Sequence, residues 1–112
     1  MSVPNLNRLL VLETPQRTED GAGGYVENWQ QLGALWAQVS FRSGRETAQQ
    51  ETAISSGSFR ITVRGAPFGA VERPRPDQRF VDGLRIYHIK AVAEADDHGR
   101  YLTCYATEES TL

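Results

Sequence analysis

The chain has 112 residues, with 39% hydrophobic and 23% charged residues and a formal net charge of -2. That length predicts one domain over residues 1–112, able to bury a core without metal or disulfide. The balance excludes a disordered chain, and the slight acidic surplus gives no global attraction for nucleic acid.

Taken in order, Leu9 to Thr14 reads as a first strand. Apolar residues on both of its faces predict cover on both sides, and Pro15 is expected to end it. Gln16 to Asn28 reads as a polar loop around Asp20-Gly21-Ala22-Gly23-Gly24. Leu35 to Phe41 alternates cleanly, with Leu35, Ala37, Val39 and Phe41 on one face. Ser43 to Ala53 breaks that period. Its helix formers and the capping Ser43 predict one or two helical turns, closed by Ser55-Ser56-Gly57. Phe59, Ile61 and Val63 against Arg60, Thr62 and Arg64 make the clearest half-buried strand.

Gly65 to Pro76 reads as a long loop with Phe68 and Val71 exposed, a hint of a contact surface. Gln78 to Val81 is a short strand, and Asp82-Gly83 signals a two-residue type I′ hairpin. Leu84 to Ala93 returns from it. Asp96-Asp97-His98-Gly99 is a second turn, Arg100 to Thr107 the last strand, and Glu108 to Leu112 a frayed tail. About six short antiparallel strands favour closure, which removes exposed edges. The expected fold is all-β: a small antiparallel β-barrel of about six strands, with one short helical insertion and long loops.

Sequence chemistry is sparse. Cys104 is the only cysteine, so no intramolecular disulfide forms, and it reads as a small buried hydrophobe. His88 and His98 have no third ligand at metal spacing, and His88 reads as a strand residue with a satisfied hydrogen bond. A thiol enzyme or small hydrolase would need Cys104 or His88, yet no local signature of thiol catalysis surrounds them. Gly21–Gly24 lacks the helix and Lys of a phosphate loop. Asp96-Asp97 lacks the ligand spacing of a calcium loop. No catalytic residue, metal site or cofactor is expected.

The aromatics Trp29, Trp36, Tyr87, Tyr101 and Tyr105 lie on or beside strands, among basic residues that are all Arg except Lys90. Such a set serves a single-stranded nucleic-acid-binding barrel and equally builds barrel cores and subunit interfaces; the acidic balance favours the interface. No apolar stretch is long enough to span a membrane. The N-terminus has no signal pattern, so use in the cytoplasm, or in a particle assembled there, is expected.

From about Leu9 to Glu108 the order of signals resembles the head-tail joining (head-closure, or stopper) proteins of tailed bacteriophages and phage-like gene transfer agents. The matching pieces are the Asp20–Gly24 loop before Trp29, Trp36-Ala37-Gln38-Val39, and Gly44-Arg45-Glu46 with Ala48. The Arg64 strand end, Arg79 before Asp82-Gly83, and Tyr87-His88-Ile89 complete the set. The loop Gly65–Pro76 is longer than the family's usual link.

The resemblance implies a non-enzymatic structural protein of the virion or phage-like particle, assembled in the bacterial cytoplasm. It implies a six- or twelve-fold homo-oligomeric ring below an adaptor or portal ring. That ring would close the DNA-filled head and meet a tail terminator ring. Double-stranded DNA would pass through the lumen without sequence-specific binding, and no membrane is involved. The implied lumen-projecting segment is Ser43–Ser56, with Arg45, Glu46, Gln49, Gln50 and Glu51. The expected subunit or inter-ring contacts are Arg60, Arg64, Phe68, Val71, Glu72 and Arg85. Neighbouring copies would set Arg60, Arg64 and Arg85 against carboxylates such as Glu46, Glu51 or Glu72.

Overall fold

The structure, a computed structural model, describes residues 3–44 and 57–109. Among these residues six strands carry the fold: β1 (Arg8–Glu19), β2 (Tyr25–Gly44), β3 (Gly57–Arg64), β4 (Arg79–Asp82), β5 (Arg85–Glu94) and β6 (Tyr101–Glu108). All pair antiparallel and close into a barrel in the order β1-β2-β3-β6-β5-β4. Closure falls on the short β1–β4 ladder, Val11 to Glu13 against Val81 to Arg79.

Period-2 alternation fills the inside. Leu10 and Leu12 enter from β1, Phe59, Ile61 and Val63 from β3, and Leu102, Cys104 and Ala106 from β6. Phe80, Tyr87 and Ile89 complete the far wall. Full burial of a side chain such as Ile61 stabilises the fold by about 2–3 kcal/mol. Phe59 packs edge-on to Tyr87 with ring centres 5.2 Å apart. Tyr87 is fully enclosed, and its hydroxyl has no partner among the described residues. The sequence reading grouped it with the surface aromatics. Its parity with Ile89 puts it inside.

The first two strands run much further than their apolar patterns. Gln16–Glu19 pairs with Tyr25–Asn28, so the expected polar loop is an extended two-stranded arm. Its turn is built by Asp20, whose Oδ1 accepts from the Ala22 and Gly24 amides at 2.8 and 3.0 Å. Pro15 does not end β1. It pairs with Trp29 past the end of the β1–β4 ladder, where β1 has one neighbour and a missing N–H is tolerated. The expected cover on the outer face of β1 is partial among the described residues: Glu13 is buried and Val11 half-buried, but Leu9 is half exposed.

At its other end β2 continues through a bulge to Gly44, which pairs with Gly57. The helical turns expected over Ser43 to Ala53 do not start at Ser43, because Ser43 and Gly44 pair with Ser58 and Gly57 as strand; the rest of that segment lies outside the described residues. The β4–β5 loop is Gly83-Leu84, one residue later than expected, between the paired Asp82 and Arg85. Only Gly83 takes positive φ (61°), the type II′ pattern and not I′. Glu108 belongs to β6, and the Glu109 amide donates to the Ile86 carbonyl at 2.8 Å, so the expected fraying does not begin there.

The loop from Gly65 to Gln78 crosses one mouth of the barrel, from β3 to β4, strands on opposite sides of the ring. Pro74 is fully buried, and the buried Gln78 amide accepts from the Arg75 amide and donates to Thr14. The Arg73 guanidinium donates to the Ala66 carbonyl at 2.7 Å and lies 3.8 Å over the Phe68 ring. Gly65 passes so close to the 96–99 turn that a Cβ there would sit 2.0 Å from the Gly99 carbonyl oxygen. The inner half of this loop is thus a lid, and only its outer half is free to touch anything else.

Candidate functional site

Inside and outside decide which constellations exist. Cys104 lies in the core and His88 on the outer wall, so the structure does not bring them together. Burial pushes the Cys104 thiol up to about 12, which removes it as a nucleophile. The His88 Nε2 lies 2.7 Å from a Glu109 carboxylate oxygen, the satisfied strand histidine that was expected.

Asp96 is a turn residue. Its carboxylate accepts from the Arg100 and Tyr101 amides and from the Arg100 guanidinium. Burial works to raise its pKa, but these bonds outweigh that and hold it below the usual range. No cluster of three metal-binding side chains occurs among the described residues.

The outer wall carries the exposed chemistry. On β3, Arg60 and Arg64 point outward, and no carboxylate among the described residues pairs with either. Arg60 sits opposite Tyr105 and Arg64 opposite Tyr101 on β6. The Arg42 guanidinium lies 5.0 Å over the Tyr105 ring. Trp36 is 56% exposed, shares an open groove with Arg64, Ala34 and Leu6, and faces Leu9 across the β1–β2 ladder. The result is a basic and aromatic surface over β2, β3 and β6.

Of the other expected contact residues, Phe68 and Val71 are strongly exposed, as is Glu72 beside them. Arg85 is different. Its guanidinium binds Glu108 through two hydrogen bonds of 2.8 and 3.0 Å, so it is already committed within the chain. That bond holds Glu108 below the usual carboxylate range. Arg8 and Asp82 form a further ion pair at the same end of the barrel. Arg45, Glu46, Gln49, Gln50 and Glu51 lie outside the described residues.

One cluster escaped the sequence reading. Arg79 binds Glu13 at 2.7 Å and lies 4.0 Å over the Trp29 ring, which also stacks edge-on to His88 at 6.1 Å. It ties the root of the arm to the β4–β5 side of the barrel. The signal was Trp29 beside a polar stretch, which the sequence reading placed among the aromatics of a binding surface.

The fold and wall define a class: a closed β-barrel with a basic and aromatic outer surface. The family model for phage head completion proteins matches residues 1–109, and the chain belongs to that family. It is similar to a chain in the virion of a native gene transfer agent particle, with 52% identity, 98% of this chain and 100% of that chain covered, and a TM-score of 0.85. It shares its fold with protein SF1141 from Shigella flexneri 2a, at 21% identity with both chains fully covered and a TM-score of 0.70. Among the curated proteins none matches.

Proposed function

We propose that this chain is a non-enzymatic subunit of the head–tail connector of a phage or gene transfer agent particle, closing the filled head and offering the surface on which the tail docks. One observation carries this: a family match over residues 1–109 joined to 52% identity with a chain of a gene transfer agent virion. The working form is a closed ring of six or twelve copies. Its neighbours are an adaptor or portal ring above and a tail terminator ring below.

Such a ring needs heterologous contacts that close by rotation. Arg60 and Arg64 supply one side of the contact between copies. Phe68, Val71 and Glu72 on the outer half of the lid loop meet an adjoining ring. The segment 43–56 faces the lumen, and double-stranded DNA passes without base readout. A chain of net charge -2 suits that passage, since each neutralised phosphate would add affinity.

Particle-producing cells lacking this chain should accumulate DNA-filled heads without tails, seen by electron microscopy. Normal numbers of tailed particles would overturn the proposal. The nucleic-acid-binding alternative has less support, because Tyr87 is buried and Arg79 covers Trp29. It predicts salt-dependent retention of single strands in a filter assay.

A further inference from the structure

The arm is the least explained part of the molecule. Beyond Glu13 and Gln31, β1 and β2 pair only with each other, because β4 stops at Glu13 and β3 begins its pairing at Ala37. At about 3.3 Å per residue the free ribbon from Gln31 to Tyr25 is about 20 Å long.

Its tip, Glu19 to Glu27, holds Glu19, Asp20 and Glu27 and no basic residue. The turn amides keep Asp20 ionised below the usual carboxylate range. Arg17 stands opposite Glu27 in register but makes no ion pair with it. Tyr25 and Val26 stand in solvent, 64% and 49% exposed. The edge of β2 from Tyr25 to Trp36 has none of the Lys, Arg or Pro that normally guard an open strand.

The complementary surface is on the other side of the same molecule. Trp29 leans the arm toward Arg79 and His88, on the β4–β5 side. The basic wall of Arg42, Arg60 and Arg64 lies over β2, β3 and β6, with β3 opposite β4 in the closed order. A chain cannot satisfy its own arm with its own wall. Two copies can do so head to tail, and each added copy presents the same pair of surfaces.

We infer that the acidic arm of one copy docks on the Arg60–Arg64 wall of the next copy, making the arm the clasp between ring neighbours. Carboxylates Glu19 and Glu27 meet the guanidinium groups, while Tyr25, on the same face of the ribbon, covers Tyr101 and Tyr105. This rests on the ring reading above and names its contact.

The test is charge reversal in particle-producing cells, counted as tailed particles. Glu19→Arg with Glu27→Arg, and separately Arg60→Glu with Arg64→Glu, should each lower the count about tenfold or more. The four changes together should restore most of it. A tip reversal without effect, or a combined variant no better than the worse parent, overturns the clasp.

Cross-linking gives a second measure. Glu27→Cys and Arg60→Cys in one chain, oxidised in assembled particles, should give a ladder of covalent multimers, and Glu27→Cys alone none. Only monomer from the double variant overturns the inference. If deletion of the whole chain leaves tailed particles unchanged, the connector reading itself falls. If deletion abolishes tails while tip reversal does nothing, only the clasp falls.

Discussion

The Tyr87 hydroxyl is enclosed in the barrel without a partner, and burial raises its pKa. An unpaired buried hydroxyl costs about 1–3 kcal/mol. Tyr87→Phe keeps the ring contact with Phe59 and removes the orphan oxygen, so the melting temperature should stay level or rise. Arg79 is the opposite case. It answers the buried Glu13 and holds Trp29, so Arg79→Ala should lose about 2–4 kcal/mol in a denaturant titration, more than a surface pair would. Restoring neutrality with Glu13→Gln in the same chain should recover part of that loss. The Glu13–Arg79 pair was not legible, because its partners come from ladders that join Glu13, Arg79 and His88 across more than sixty residues of chain.

Among the elements, β3 was read almost residue for residue, since Phe59, Ile61 and Val63 report their burial directly. The arm was misread because its ladder holds few apolar residues. What pairs it is turn geometry at Asp20 and backbone hydrogen bonding, to which hydrophobic period is blind. The lid loop was half legible. Its exposed Phe68 and Val71 were expected, but nothing in the prolines disclosed that Pro74 would plug the barrel mouth. Deletion of Gly65–Pro76 would therefore open the core. Phe68→Ser with Val71→Ser is the better probe. That variant should lose no more than about 5 °C of melting temperature, the cost of the Arg73 stack on an exposed ring, while tailed particles fall. Loss of folding instead would make those side chains structural.

For the whole molecule, the ion pairs Arg8–Asp82 and Arg85–Glu108 fasten the barrel at the end away from the lid. The folded-state pKa of Glu108 lies below its unfolded value, chiefly through the Arg85 hydrogen bond. The sign follows: its contribution is present above the unfolded pKa and disappears as pH falls through the folded one. Glu108→Gln should thus flatten the loss of stability on acidification below about pH 4.5, measured by denaturant midpoints across pH. The size should be modest, because Arg85 is 43% exposed. Closure of the wall also bears on how the particle can be studied. Since Cys104 is sealed inside with its thiol held protonated at neutral pH, maleimide reagents should pass it by. A fluorophore or gold cluster can then be placed at any added surface cysteine, with the native one left where it is.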